Sequence, residues 1–129
     1  MPTNKQIIQG AYQAFTTGNV PKVLAPMHDK IEWTEAEGFP LHGTYVGPQA
    51  VVDEVFLRLG EIGDESTVTP TRFVAEDDTV VALGTYSWKH GSTGQPAVVQ
   101  MAHVWTFRDD RIISMPQHVD TPKVQELSA

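Results

Sequence analysis

The chain has 129 residues, the size of one domain, so we expect a single domain over residues 1–129 whose core needs no metal or disulfide staples. It contains no cysteine, which excludes disulfides, thiolate metal sites and a cysteine nucleophile, and is typical of a cytoplasmic protein. The net charge is −7, and the nine Lys and Arg residues are scattered among sixteen Asp and Glu, so nucleic acid is not an expected partner.

The amino-terminal stretch MPTNKQIIQGAYQAF lacks the apolar run and the small-residue cleavage site of a signal peptide. No stretch of the sequence approaches the length of a membrane-spanning helix. We therefore expect a soluble, cytoplasmic protein without a membrane partner.

Apolar residues at helical spacing predict a first helix from Asn4 to Thr17. Either Thr3 or Asn4 is a suitable amino-terminal cap, and Gly18 is a suitable stop. A second, shorter helix is predicted after it, and Met27 completes the apolar stripe of that helix.

The segment Lys30 to Glu35 alternates in character and predicts a short strand that carries Trp33 and Glu35 on one face. The next segment, Ala36 to Val46, has turn residues and no sustained period. It is predicted as a loop, which could form the rim of a pocket.

The dipeptide Gly47-Pro48 introduces a third predicted helix that runs through about Leu59. The helical period then disappears, and Val68–Val74 and Thr79–Lys89 are predicted strands because they are rich in Val, Thr, Tyr and Trp. The short tail after Pro122 remains unassigned.

The stretch from Pro96 to Asp120 predicts two long strands joined by the polar turn Arg108-Asp109-Asp110-Arg111. The two-residue period of a strand puts His103 in an otherwise apolar row of the first arm. It puts Gln117 in the corresponding row of the second arm, together with Ile113, Met115 and Val119. If the two rows share a concave face, His103 and Gln117 are its polar groups.

Helices followed by strands predict an α+β fold in which the amino-terminal helices pack on a curved antiparallel sheet. Such a sheet closes into a cone whose open end can hold a small ligand. The outer face of the same sheet would carry Val98, Ala102 and Val104, which is too apolar for an open surface, so we also expect a homodimer.

The segments EGFPLHGTYVGPQAVVDEVF and AHVWTFRDDRIISMPQHVDT, with an early helix that ends in Phe15-Thr16-Thr17-Gly18-Asn19, resemble the SnoaL-like branch of the nuclear transport factor 2-like superfamily. The resemblance covers nearly the whole chain. It implies a cone-shaped α+β barrel, usually a homodimer, with a pocket for a small and often hydrophobic molecule. Members include ketosteroid isomerase, polyketide cyclases and dehydratases, and also proteins without a known activity, so the fold does not fix the reaction.

Compared with ketosteroid isomerase, the resemblance places Ala11 at the position of that family's catalytic tyrosine, with Tyr12 one residue away and pointing elsewhere. It places Trp33 at the position of the aspartate base, which leaves Glu35 as the nearest carboxylate on the same predicted face. It places His103 where the isomerases carry a protonated aspartate that donates to an oxyanion. The resemblance thus implies Glu35 as base and His103 as oxyanion donor.

Each of these residues also has an ordinary structural interpretation. His103 could be a core histidine bonded to a backbone carbonyl, and Glu35 could be a solvated residue at a strand end. Asp120 resembles an acidic position at which SnoaL-like cyclases place a catalytic aspartate, but strand alternation directs it away from Gln117 unless a bulge intervenes.

The candidate pocket walls are large side chains on inward faces or on the loop, and these residue types belong to cores more often than to ligand sites. They are Trp33, Phe39, Tyr45, Phe56, Trp88, Met101, Trp105, Met115 and Gln117. The other histidines have no companion at ligand spacing, so we expect no metal.

Two functions fit these patterns. The first is a cofactor-free isomerase, cyclase or dehydratase that moves a proton next to the carbonyl of a small hydrophobic substrate, with Glu35, His103 and Asp120 as candidate catalytic residues. The alternative is a non-catalytic module for ligand binding or dimerisation.

Overall fold

A computed structural model describes residues 2–128. Within this range the α-helices are α1 (Asn4–Thr16), α2 (Val20–Leu24), α3 (Pro48–Glu54) and α4 (Thr121–Ser128), and a 3-10 helix (Phe56–Glu61) follows α3. The six strands are β1 (Met27–Glu35), β2 (Gly43–Val46), β3 (Asp64–Glu76), β4 (Thr79–Lys89), β5 (Pro96–Arg108) and β6 (Arg111–Val119). The predicted α+β class is confirmed.

The strands form one six-stranded sheet in the order β2-β1-β6-β5-β4-β3. The predicted run of antiparallel strands is correct for the β3-β4, β4-β5 and β5-β6 pairs. It is wrong for β1, which pairs parallel with β6, so the sheet is mixed. This parallel pairing brings the end of β1, and with it Glu35, beside the second arm of the hairpin.

Local signals at both ends fix the first helix as predicted. The Thr3 side chain accepts from the Gln6 backbone N–H at 3.1 Å and the Gln6 side chain accepts from the Thr3 N–H at 2.9 Å, which is a capping box. Gly18 ends the helix with a φ of +76°, a conformation that suits glycine. The buried face of α1, which includes Ile8, Ala11 and Ala14, packs toward the sheet.

Several predicted boundaries are wrong, each because tertiary pairing overrides local pattern. Met27 belongs to β1 rather than to the second helix, since it pairs with Ile112 of β6. The predicted loop 36–46 contains β2, a short strand held by its antiparallel partner β1. The third helix changes to 3-10 geometry before Leu59, and the unassigned tail is α4.

The predicted hairpin turn is confirmed, with Arg108 paired to Arg111 and left-handed φ values of +52° at Asp109 and +63° at Asp110. These are the values of a two-residue turn whose twist matches that of the flanking strands. A register shift follows in the ladder, where Thr106 faces Ser114 but Phe107 faces Ile112. The bulge turns Ile112 into the core, and the predicted inward residue Ile113 is only half-buried.

The strand alternation of β5 is confirmed along its whole inner face, which is buried from Ala97 to Phe107 at every second residue. Where β3 pairs with β4, β3 carries a bulge between Pro70 and Arg72. Gly84 lies opposite this bulge, and a Cβ there would come within 2.1 Å of the Thr69 carbonyl oxygen, so glycine permits the close approach. Over residues 2–128, no helix combines the length and hydropathy needed to cross a membrane.

Candidate functional site

A cavity of about 60 Å³ lies between α1, the 3-10 helix and the inner face of the sheet. Most of its wall is apolar, and its larger polar groups are Tyr12, Glu35, Tyr86, His103 and Gln117. The volume is well below the roughly 300–1,000 Å³ of a pocket for a drug-sized ligand. A cavity of this volume suits a very small molecule or one end of a larger one.

Glu35 is the ionisable group at the centre of the site. It ends β1 with its side chain turned inward and only 4% exposed. Its Oε1 accepts from Trp33 Nε1 at 2.9 Å, and its Oε2 accepts from Gln117 Nε2. Burial raises its pKa from 4.5 to about 7, and the hydrogen bonds from Trp33 and Gln117 offset part of that rise.

His103 and Gln117 face each other directly across β5 and β6, and both are buried. His103 Nε2 lies 2.8 Å from Gln117 Oε1. Because the Gln117 amide nitrogen donates to Glu35, its oxygen must accept from His103, which assigns the imidazole proton to Nε2. The predicted shared face of these two residues is confirmed.

The chain of hydrogen bonds continues to α1. Burial lowers the pKa of His103 to about 4, so the ring is neutral near pH 7 and Nδ1 is an acceptor. Tyr12 Oη lies 2.5 Å from Nδ1 and donates to it, while the same oxygen accepts from Trp105 Nε1 at 3.1 Å. The site therefore contains one directed chain from Trp105 through Tyr12, His103 and Gln117 to Glu35.

Sequence comparison missed Tyr12, because it placed Ala11 at the functional position and turned the tyrosine elsewhere. Both residues line the cavity. The Tyr12 ring stacks on His103 with centroids 5.9 Å apart, and meets Trp105 edge-on at 5.9 Å. A contact between residues 91 positions apart in sequence depends on how the helix docks, which helical periodicity does not specify.

The predicted oxyanion donor His103 has both ring nitrogens engaged, one with Tyr12 and the other with Gln117. Direct donation from His103 to a ligand would require the Gln117 bond to break. In this arrangement His103 orients its neighbours.

Asp120, the third candidate catalytic residue, lies outside the cavity and is exposed. Its Oδ1 accepts from the Lys123 backbone N–H at 3.2 Å, and its carbonyl accepts from Val124 N–H at 2.9 Å. Asp120 therefore caps α4. It points away from Gln117, as strand alternation predicted, and no bulge reverses that direction.

The candidate wall residues divide into three groups. Those that line the cavity are Trp33, Phe39, Phe56, Trp105 and Gln117. Trp88, Met101 and Met115 are buried in the core but do not line it. Tyr45 lies outside it, with its hydroxyl donating to the Leu41 carbonyl at 2.7 Å.

Tyr86 is a further cavity residue that sequence reasoning missed. It lies on the inner face of β4 and is only 3% exposed. Its alternation with Trp88 predicts burial, but nothing in the sequence marks its hydroxyl as special. No three metal-ligating side chains come together anywhere in residues 2–128.

A family model described as the SnoaL-like domain matches residues 8–115. A crystal structure of an NTF2-like protein from Burkholderia thailandensis E264 is 34% identical, with 100% of this chain and 99% of that chain covered and a TM-score of 0.93. An NTF2-like protein of unknown function from Burkholderia pseudomallei K96243 is 28% identical over 100% and 99% of the two chains, with a TM-score of 0.86. TerC, co-crystallised with polyporic acid, is 27% identical over 95% of each chain, with a TM-score of 0.84. No curated protein matches the chain significantly.

Proposed function

Because this chain belongs to the SnoaL-like domain family of cone-fold proteins, we propose that it is a cofactor-free enzyme that moves a proton next to the carbonyl of a small hydrophobic molecule. The observation that carries this proposal is the Glu35 carboxyl, which is buried in an apolar cavity with a pKa of about 7. A base works best when its pKa lies near the working pH, since it is then ionised and still basic. An ordinary surface glutamate is a much weaker base.

The reaction step is the transfer of a proton from a substrate carbon to an oxygen of Glu35. The C–H bond beside the carbonyl breaks, the proton goes to a Glu35 carboxylate oxygen, and the electron pair moves into an enolate. Return of the proton from Glu35 to another carbon gives isomerisation. Attack of the enolate carbon on a second carbonyl, whose oxygen then takes the proton, gives cyclisation, and departure of a β-hydroxyl together with the proton, as water, gives dehydration. All three outcomes start from the same base.

The hydrogen-bond chain holds that base in place. Trp33 donates to one carboxylate oxygen and Gln117 to the other, and Gln117 is itself held by His103. Both bonds favour the charged carboxylate while burial opposes it, so Glu35 stays directed into the cavity with a pKa near neutrality. A base that is already held in position lowers the entropic cost of reaching the reactive geometry with the substrate.

The alternative proposal is a binding module whose pocket holds a metabolite without changing it. Co-crystallisation of the related TerC with polyporic acid supports a small-molecule ligand under either proposal. The deciding experiment measures deuterium exchange from buffer into the carbon next to the carbonyl of cyclohexanone and of aromatic ketones. Exchange faster than in buffer alone supports the enzyme, and exchange at the buffer rate with every ketone leaves the binding module.

Ligand entry should change tryptophan fluorescence, because Trp33 and Trp105 line the cavity at a ring separation of 5.5 Å. We expect small aromatic ketones to quench or shift the emission of the wild type. Trp88→Phe should keep this response, since Trp88 does not line the cavity. If no member of a panel of ketones, steroids and fatty acids alters emission, the proposal of a ligand-binding cavity is wrong.

We also propose a homodimer formed through the outer face of the sheet. Val98 on this face is 55% exposed, and Ala102 and Val104 beside it are half-buried. Light scattering at micromolar concentration should give twice the chain mass, and Val98→Glu should give the monomer mass because a buried charge opposes the contact. Val46→Glu is the control, since Val46 is similarly exposed, at 60%, but lies on β2 at an edge of the sheet. A monomeric wild type would contradict the proposal.

A further inference from the structure

Tyr86 lines the cavity, and the packing of its ring fixes the position of its buried hydroxyl group. Its ring is packed against Phe39, with centroids 5.8 Å apart, and against Trp88 at 5.5 Å. Within residues 2–128, its Oη makes no hydrogen bond of normal length and angle, and Ser66 is the side chain that interacts with it outside that geometry. The nearby Ser66 hydroxyl is directed at the carbonyls of Leu59 and Gly63, each at 3.4 Å.

A buried hydroxyl without a partner is unfavourable and uncommon in native proteins, so its retention needs a reason. The larger polar groups that share this cavity with Tyr86 bond to one another, from Trp105 through to Glu35. Trp88 Nε1 is also buried without a partner among the described residues, but Trp88 does not line the cavity. Tyr86 Oη is thus the polar atom among these cavity residues whose hydrogen bond the described residues leave unused, and a ligand that reaches it would supply the partner.

The hydroxyl also keeps its proton. Burial raises the pKa of Tyr86 to about 12; the neighbouring Ser66 offsets part of the rise, and the negative charge of Glu35 adds to it. The influence of Glu35 reflects its position on the same cavity wall. A neutral phenol beside an anionic carboxylate is a donor next to a base.

We propose that the Tyr86 hydroxyl donates a hydrogen bond to the carbonyl oxygen of the bound molecule, and that this molecule is a small ketone or related carbonyl compound. The rest of the cavity is mainly aromatic and aliphatic, which suits the apolar remainder of such a ligand. The role of Glu35 rests on the proposed function, whereas the donation by Tyr86 needs only binding. If Glu35 removes a proton, negative charge develops on the same oxygen and the Tyr86 bond strengthens.

The test is infrared difference spectroscopy of bound cyclohexanone, a small carbonyl probe. In the wild type, the carbonyl band should move to lower frequency than in an apolar solvent, as a hydrogen-bonded carbonyl does. Tyr86→Phe should remove this shift. Tyr45→Phe is the matched control and should retain it, because the Tyr45 hydroxyl bonds to backbone outside the cavity.

Thermal unfolding distinguishes a ligand-binding role of the Tyr86 hydroxyl from a role in stabilising the fold. Tyr86→Phe deletes a buried hydroxyl that lacks a partner, so its Tm should stay unchanged or rise. If that variant does not fold, the ¹³Cζ resonance of Tyr86 in labelled wild type should move when cyclohexanone is added. An unshifted carbonyl band in the wild type, an equal shift in Tyr86→Phe, or a resonance that does not move would each overturn the proposal.

The outcome is independent of the proposed reaction. Glu35→Gln should keep the shifted band whether or not the protein is an enzyme. A shifted band without catalysed deuterium exchange would reject the enzyme and keep Tyr86 as a ligand anchor. Catalysed exchange without a Tyr86-dependent band would keep the enzyme and reject the anchor.

Discussion

Replacing Glu35 with glutamine should remove the catalysed deuterium exchange, because an amide cannot accept the proton. Loss of a general base typically costs about two to four orders of magnitude in rate. The measurement is the exchange rate at saturating ketone in wild type and Glu35→Gln. Glu32→Gln is the matched control, since Glu32 lies on the same strand with its side chain exposed, and this variant should keep the wild-type rate.

The wild-type rate should also depend on pH. Only the ionised carboxylate is a base, and Glu35 has a pKa of about 7 in the folded protein. The rate should therefore rise with pH and reach half its maximum near pH 7. An exchange rate in Glu35→Gln equal to that of the wild type would exclude Glu35 as the base.

The hydrogen-bond chain can rearrange to accommodate the Glu35→Gln substitution. The new amide nitrogen would face the Gln117 amide nitrogen, but Gln117 can turn over and present its oxygen instead. Its nitrogen would then donate to His103 Nε2, and the imidazole proton would move to Nδ1, which donates to Tyr12. Because the amide, the imidazole and the phenol each donate and accept, every group keeps at least one partner, and the Tyr12 hydroxyl proton is the one donor that loses its acceptor. We therefore expect Glu35→Gln to fold.

His103→Ala has a different expected result. It leaves the Tyr12 hydroxyl without its acceptor and Gln117 Oε1 without its donor in a buried site, so it should lower stability whether or not the protein is an enzyme. The variant for testing chemistry is thus at Glu35.

Strand alternation predicted much of the site from sequence alone. A two-residue period placed Trp33 and Glu35 on one face of β1, and His103 and Gln117 on facing rows of the hairpin, as the structure has them. The same rule failed at Ile113, because one extra residue in the ladder exchanged it with Ile112.

The rest of the site depends on contacts that no local pattern contains. Tyr12 reaches His103 only because α1 docks at a particular rotation, and β2 is a strand only because β1 lies beside it. Glu35 has the sequence context of an exposed strand end, and it is buried because β6 pairs parallel with β1. Whether the Tyr86 hydroxyl has a partner is a property of the assembled cavity.

The second large effect concerns the pH dependence of stability, because folding shifts the pKa values of two buried groups in opposite directions. The folded-state pKa of Glu35 is raised from 4.5 to about 7, so the folded state holds this proton more tightly. Its contribution to the free energy of unfolding is complete below pH 4.5 and is lost as pH rises through 7, by about 3 kcal/mol.

His103 has the opposite sign. Its folded-state pKa is lowered from 6.5 to about 4, because burial disfavours the charged ring. The unfolded chain therefore binds this proton more readily, and stability rises by about 3 kcal/mol as pH increases from 4 to 6.5. Between pH 4.5 and 6.5 the two slopes cancel, so these groups leave the wild type nearly insensitive to pH in that range.

Single substitutions should separate the two slopes. Urea unfolding of wild type and Glu35→Gln from pH 4.5 to 8 should show the stability of the variant, relative to the wild type, rising by about 3 kcal/mol across the range. His103→Asn should show the reverse trend. Its stability relative to the wild type should fall as pH rises, since the variant lacks the rising contribution of His103 and keeps the falling contribution of Glu35. Taking differences from the wild type at each pH removes the titration of surface groups, and Glu32→Gln should give a flat difference. Parallel stability curves for wild type and Glu35→Gln would mean that Glu35 has an ordinary pKa, and would remove the main support for its role as base.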